Sequence, residues 1–589
     1  MRALLLLLGF LAAPLMAQQA ADAIAPEGGG AGGVQVPPML AASAAAKAAG
    51  RVVEADTWMI AAAHPLAVEA GARVLRAGGT AADAMVAVQA VLGLVEPQSS
   101  GLGGGAFLLW HDGATGAITT LDGRETAPMS ATPKLFLDAA GQPLDFFEAV
   151  VGGRSVGVPG TPALLAEAQR RWGRADWPVL FEDAIRLAEE GFAVSPRLAS
   201  LVAGDAARLA RFAATRAYFL PEGQPIKAGE ILRNPAYADT LRILAQEGAA
   251  PFYTGPIAAD IVETVQGAGD NPGTLSRADL AIYAVREREA VCAPYRSYEV
   301  CGMGPPSSGG VTVAQILGML APYDLTALGP ESADAWRLIG DASRLAFADR
   351  GRYLADSDFV PVPVRGLLDP GYLRGRARLL QGQQALPEVA PGTPEFDHAL
   401  DWGDGKTLAQ PATSHISIVD GYGNALSMTT TIENGFGSRL MVRGFLLNNE
   451  LTDFSFASHE GGRPIANAVA PGKRPRSSMA PTILRRDGQP VLVLGSPGGS
   501  RIIGFVAKTI IAWADWGMDV QQAVALPHLV NRFGRYDIEP GAVWLVPALA
   551  ELGYEVEVRS MTSGLHAIEL GAPLAGGADP RREGLAYGE

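Results

Sequence analysis

The chain has 589 residues, 48% of them hydrophobic, so it can bury a large core, and its 71 glycines mark turns and close backbone packing, not disorder. A formal charge of −14 and a pI near 5.1 exclude the basic footprint that a nucleic-acid or anionic-membrane partner requires. Two cysteines and scattered histidines, with no HExxH and no metal-ligand spacing, call for no metal and no other cofactor.

Met1 and Arg2 lead into an apolar run over 3–16, too short to span a bilayer. Residues 1–17 therefore read as a secretory signal peptide, which predicts a periplasmic or secreted protein. Residues 18–50 are Ala/Gly/Pro-rich without helical or strand period and predict a flexible lead-in. From 53 to 111 the pattern reads strand, helix, helix, then a Gly-rich turn into a strand. An apolar stripe over 65–77 stops at Gly78-Gly79, and Thr80 with Asp83 forms a capping box for a helix reaching Leu94. Pro162 opens a helix from Thr161 to about Gly173, and helices with one Ala/Leu-rich face are predicted over 178–190, 236–248 and 256–266.

Gly153-Arg154-Ser155-Val156-Gly157 fits GxSxG, but a nucleophile elbow must turn directly into a helix, and Pro159 disfavours one there. Cys292 and Cys301 flank a strand–turn–strand pattern, open to a small-loop disulfide in an oxidising compartment or to two buried thiols. Residues 381–412 turn polar and unpatterned, an exposed loop of a length reserved for function or disorder.

The run TSHISIVDGYGNALSMTTTIE (413–433) follows directly. Ile416, Ile418, Leu426 and Met428 alternate with polar residues on either side of Gly421-Tyr422-Gly423-Asn424, which predicts two strands joined by a tight hairpin. Thr413 at its mouth becomes a strong nucleophile if its own α-amine lies free beside its hydroxyl, which requires a cut between Ala412 and Thr413. Without that cut the stretch is an ordinary hairpin.

The motifs GLGGGAF (101–107), LDGRETAP (121–128), MGPPSSGG (303–310), TSHISIVD (413–420), FLLNNELTDFS (445–455), KRPRSSMAPTI (473–483) and LGSPGGSRII (494–503) occur in an order and at spacings that resemble the γ-glutamyltranspeptidase (glutathione hydrolase) family of N-terminal-nucleophile hydrolases. The resemblance runs from about His64 to Asp579. It implies an α/β (α+β) fold, the four-layer αββα sandwich, self-cleaved into a large subunit (51–412) and a small one (413–589) that stay together as a heterodimer.

The resemblance implies that Thr413 forms a γ-glutamyl-enzyme from glutathione or a related γ-glutamyl amide, released to water or to an acceptor amino acid or peptide. Thr431 matches the second family threonine, which orients the nucleophile. Gly498 and Gly499 free the backbone to aim N–H groups at the oxyanion. Arg124 pairs the donor's carboxylate through its planar fork, Ser477 and Ser478 add hydrogen bonds to it, and Glu450 and Asp453 hold the donor's ammonium. GLGGG is read as structural. His415 shares the face of Thr413, but an α-amine base leaves it a packing or hydrogen-bonding role.

Two places depart from the family's pattern. Glu433 stands where Asn is expected, adding charge beside Glu450 and Asp453. The lid stretch 455–471 is short and carries no Tyr, which predicts a pocket open to solvent and to larger donors. A glutaryl-type cephalosporin acylase of the same fold and a non-catalytic periplasmic binding protein are the competing readings.

Overall fold

In the computed structural model, residues 33–396, 401–405 and 412–589 are described; the predicted signal peptide lies outside them. The alternating run after Ala412 forms the antiparallel strands Ser414–Val419 and Ala425–Thr431, in register from Ser414↔Thr430 to Val419↔Ala425. They lie at the centre of a seven-stranded sheet, flanked on one side by Met59–Ala62 and Leu585–Gly588. On the other side follow Gly105–His111, Ile118–Gly123 and Arg286–Arg288. A second seven-stranded sheet runs Val53–Ala55, Leu574–Ala578, His566–Glu569, Gln489–Gly495, Thr482–Arg486, Tyr298–Gly302 and Val291–Tyr295.

The period of two decides what lies between the layers. Even-numbered Ile416, Ile418, Leu426 and Met428 are fully buried in one apolar core with the helices Pro65–Arg76 and Ala81–Val95. Odd-numbered residues face the second sheet: Ser417 Oγ donates to His566 O at 3.1 Å, and Ser427 Oγ donates to Leu494 O at 3.0 Å while accepting from Thr482 N–H at 3.0 Å. A second core joins the inter-sheet side chains Met59, Phe107 and Leu109 to the helices Gly309–Leu320, Ala333–Tyr353 and Ile502–Ala514 outside the second sheet. The result is the expected helix–sheet–sheet–helix sandwich.

The helices follow their sequence signals. Thr80 and Asp83 form the capping box of Ala81–Val95, Pro162 opens Thr161–Trp172, and Pro235–Glu247 and Pro256–Gln266 begin at prolines. The predicted 178–190 helix divides into a 3-10 turn, Trp177–Phe181, and an α-helix, Glu182–Glu190. Cys292 and Cys301 are disulfide-bonded across the strand pair Val291–Tyr295 and Tyr298–Gly302.

Two expectations are corrected. The lead-in 18–50 is not flexible at its end: Ala41–Ala48 is helical, and Lys47 Nζ donates to the carbonyls of Arg582 and Gly584 at 2.6 Å each. The loop after 381 is not simply exposed. Ala385, Leu386 and Gly392 donate their N–H groups to Leu552 O, Asp341 and Asp349, because Leu386 and Val389 have apolar surface to bury against the second core.

GLGGG is structural, as read, and the reason is backbone approach. A Cβ on Gly103 would meet Leu446 O at 2.1 Å, and one on Gly104 would meet Thr431 O at 2.0 Å. Gly104→Ala must push the Thr431 strand away. We expect a loss of roughly 1–3 kcal/mol, read as a lower midpoint of thermal unfolding; an unchanged midpoint would show that the strand yields without cost.

Candidate functional site

Because Thr413 and Thr431 are odd-numbered, the hairpin points both into the inter-sheet space at the open end of the sandwich. The strand Gln489–Gly495 of the opposite sheet ends at the same place and delivers Gly498 and Gly499. Between them lies a narrow cleft lined by Arg124, Thr413, Thr431, Glu433, Glu450, Asp453, Ser477, Ser478, Met479, Gly499 and Ile502. Every candidate site residue is in that lining except Gly498, which immediately precedes Gly499. Both glycines have the positive φ that favours glycine, +138° and +58°.

The peptide bond between Ala412 and Thr413 is intact and buried. Its carbonyl oxygen accepts from Thr413 Oγ1 at 2.5 Å and from Thr431 Oγ1 at 2.9 Å, and the two hydroxyl oxygens are 3.3 Å apart. Glu433 N–H donates to Thr431 Oγ1 at 2.8 Å, so the hydroxyl is oriented with its proton on the carbonyl. Two hydroxyls thus polarise one carbonyl.

Arg124 is fully buried, and its guanidinium is engaged by Glu450 on one nitrogen and Asp453 on another, with Pro475 O accepting from Nε at 3.2 Å. The expected division, Arg124 for a carboxylate and the two acids for an ammonium, is not what the structure shows: Arg124 is paired with both acids. Asp453 Oδ1 is buried with no hydrogen-bond partner among the described residues, whereas Glu450 shares a side-chain hydrogen bond with the neighbouring Glu125. Glu125, 3.9 Å from Arg124 Nη1, adds a third buried carboxylate. Burial and the neighbouring Glu450 push its carboxyl well above the usual range. Burial also pushes Glu450 up to about 7, against the pull of Arg124.

Glu433 is buried on the fourth side with φ +76°, a left-handed conformation uncommon for Glu, and accepts from Asn449 Nδ2. Ser478 Oγ accepts from Arg350 Nη2 at 2.6 Å, and Arg350 Nε donates to Ser308 Oγ at 2.8 Å. Ser308 Oγ in turn donates to Ser477 O, so the MGPPSSGG loop props up the serine pair. Asn448 Oδ1 accepts from the N–H groups of Gly157 and Glu450, and Asn467 Nδ2 donates to Asp453 O at 2.8 Å.

Several of these residues were missed by sequence reasoning. Glu125, Asn448, Asn449 and Ser308 sit inside the quoted motifs and could have been found there. Arg350, inside the long helix Ala333–Tyr353, carries no local signal.

Three further sequence readings concern His415, Ser155 and the lid stretch. His415 is buried and neutral, bonded to Thr429 Oγ1 at 2.9 Å and Ser417 Oγ at 3.0 Å, and burial holds its pKa well down. Ser155 is buried and donates to Val150 O at 2.6 Å, which removes it as a nucleophile. The short lid forms a small hairpin, His459–Glu460 with Arg463–Pro464, whose Glu460 accepts from Asp404 N–H; it contributes no residue to the cleft lining.

The family model described as Gamma-glutamyltranspeptidase matches residues 67–589. The Glutathione hydrolase proenzyme of Bacillus subtilis (strain 168) is 38% identical over 544 residues, covering 90% of this chain and 91% of that protein. The Acylase ACY 1 proenzyme of Pseudomonas sp. (strain V22) is 36% identical over 89% of this chain and 92% of its own length. Among solved structures, cephalosporin acylase from Bacillus halodurans superposes with a TM-score of 0.82 at 29% identity, covering 92% of this chain and 97% of that one. On the match over most of its length and on these relatives, the chain belongs to the γ-glutamyltranspeptidase family.

Proposed function

We propose that the chain cuts itself between Ala412 and Thr413 and then works as a γ-glutamyltransferase and glutathione hydrolase with Thr413 as nucleophile. In the first step Thr413 Oγ1 bonds to the Ala412 carbonyl carbon, the C–N bond breaks, and the nitrogen takes the hydroxyl proton. Thr431 Oγ1, already donating to the carbonyl oxygen, stabilises the developing oxyanion. Water then hydrolyses the ester, leaving Ala412 as a carboxylate and Thr413 with a free amine. The large subunit ending at Ala412 stays bound, because the strands of both sheets come from both pieces. That amine has an ordinary pKa near ~8, suited to taking the hydroxyl proton as Thr413 attacks a γ-carbonyl. Water or an acceptor amine then releases the acyl group.

The observation that carries the substrate class is the charge balance of the cleft. Among the described residues the cleft lining carries three acids, Glu433, Glu450 and Asp453, against one cation, Arg124, while burial keeps Glu125 behind them protonated and Asp453 Oδ1 is left without a hydrogen-bond partner. A donor bringing both a carboxylate and an ammonium separates Arg124 from the acids and pairs each. A glutaryl donor, the acylase reading supported by the Pseudomonas and Bacillus halodurans relatives, brings the carboxylate but no cation.

Mass spectrometry of the wild type beside Thr413→Ala, with γ-glutamyl and glutaryl anilides assayed on both, tests the reading. We expect two fragments meeting at Thr413 and γ-glutamyl turnover in the wild type only. An uncut wild-type chain would sink the mechanism, and faster glutaryl turnover would transfer the assignment to an acylase.

Below about pH 7 the empty site keeps a proton on Glu450 that a donor's ammonium must displace. The donor KM is therefore expected to rise as pH falls from about 8 to about 6, approaching tenfold per unit below the pKa. Glu450→Gln should flatten that dependence; a wild-type KM indifferent to pH would refute it. Glu433→Asn should keep self-cleavage, since the bond to Thr431 comes from the backbone N–H and Asn tolerates positive φ better. Its donor KM should change, and unchanged kinetics for every donor would remove Glu433 from the site.

A further inference from the structure

The back of the nucleophile strand is held by a buried charge. Arg582 is fully buried and its Nη1 donates to Thr413 O at 3.0 Å. Its main chain is gripped by Lys47, whose Nζ donates to the carbonyls of Arg582 and Gly584. Glu96, at the C-terminus of the helix Ala81–Val95, lies 4.0 Å from Arg582 Nη1 and also accepts from Ser414 Oγ at 3.2 Å. Its other oxygen is 2.8 Å from Arg197 Nη1. Both ends of the described chain and the first sheet's helix thus converge on the main chain of one residue.

Resting on the reading of Thr413 as nucleophile, we propose that Arg582, set against Glu96, is a positioning residue that fixes the Thr413 carbonyl and holds the amine freed by self-cleavage in its neutral, proton-accepting form. The carbonyl and the amine belong to the same residue, so a cation bonded to the one is a near neighbour of the other. A near cation disfavours the ammonium form, and a near anion favours it.

The charges acting on the amine divide by side. Across the cleft stand the acids Glu433, Glu450 and Asp453, which favour a protonated amine, with Arg124 among them offsetting part of their charge. Behind the strand lie the cations Arg582, Arg197 and Lys47 and the acids Glu96, Asp579 and Glu583, the last accepting from Arg197 N–H at 3.2 Å. Between the sheets His415 and His566 are kept neutral by burial and contribute no charge. Arg582 is the cation behind the strand that bonds Thr413 itself.

The two partners therefore predict shifts of opposite sign. The test measures kcat for γ-glutamyl anilide hydrolysis against pH, per titrated active site, in the purified full chain carrying Arg582→Met, Arg582→Lys or Glu96→Gln. Arg582→Met should move the acidic limb of kcat upward by about one pH unit, and Glu96→Gln should move it downward. Arg582→Lys should keep the wild-type limb while kcat falls by about tenfold or more from loosened geometry. Limbs coincident with wild type, or moving in the same direction in the methionine and glutamine variants, would overturn the proposal.

If Arg582→Met does not fold, the lysine and glutamine variants decide alone: a shifted limb in the first or an unshifted one in the second refutes it. Self-cleavage timed by mass spectrometry supplies a readout independent of the donor, expected to slow in Arg582→Lys; wild-type speed there would refute the positioning role. An enzyme that cuts itself but ignores the anilide would instead count against the γ-glutamyl reading.

Discussion

A protein that carries its own nucleophile inside its chain must bury one peptide bond in a place rigid enough to cut it and open enough to be used afterwards. The Ser414–Val419 and Ala425–Thr431 hairpin meets both demands through its period of two. Even positions anchor the hairpin in the apolar core under two helices, and odd positions form a polar seam against the second sheet. Thr413 and Thr431 are the last members of that seam, standing where the two sheets part. Rigidity comes from the pairing on both sides of the hairpin, access from the end of the sandwich. A register slip of one residue would send both hydroxyls into the apolar layer.

Around that hairpin, polar groups are satisfied in chains. Glu433 N–H orients Thr431, Thr431 polarises the Ala412 carbonyl, and Arg582 holds the carbonyl one residue on. The serine pair is propped by Arg350 and Ser308, and Asp453 by Asn467. Buried polar networks are stabilising only when every member is paired, and Asp453 Oδ1 is one cleft atom left without a partner among the described residues. Arg124 pairs with both Glu450 and Asp453, which keeps an acidic cleft from carrying its full charge unopposed.

Much of this was legible in the one-dimensional chain. The capping box at Thr80 and Asp83, the hairpin after Ala412 and the prolines that open helices rest on local geometry, and local geometry is written locally. The cleft residues sit in short motifs whose order could be read. The lead-in before residue 50 was misread because an Ala-rich helix has no apolar stripe to show; it is stabilised from outside by the bonds of Lys47 to the C-terminal segment. The tail after 381 lacks secondary structure, as read, but its docking on Leu552, Asp341 and Asp349 left no local signal, since these bonds are made by backbone N–H groups that every residue type except proline offers.

The sequence by itself determined which residue types are present, where many strands and helices begin, and that Thr413, Arg124, Glu450 and Asp453 lie in short motifs that resemble those of one family. Periodicity and capping act over a few residues, so neighbours in the chain suffice to specify them. Only the tertiary structure decided that Arg124 rests on Glu450 and Asp453, that Glu125 joins them, and that Arg350 and Arg582 support the site from behind. These pairs lie more than a hundred residues apart, except Glu125, which adjoins Arg124. Burial makes each choice matter, because a charge removed from water must find its partner wherever the fold brings one.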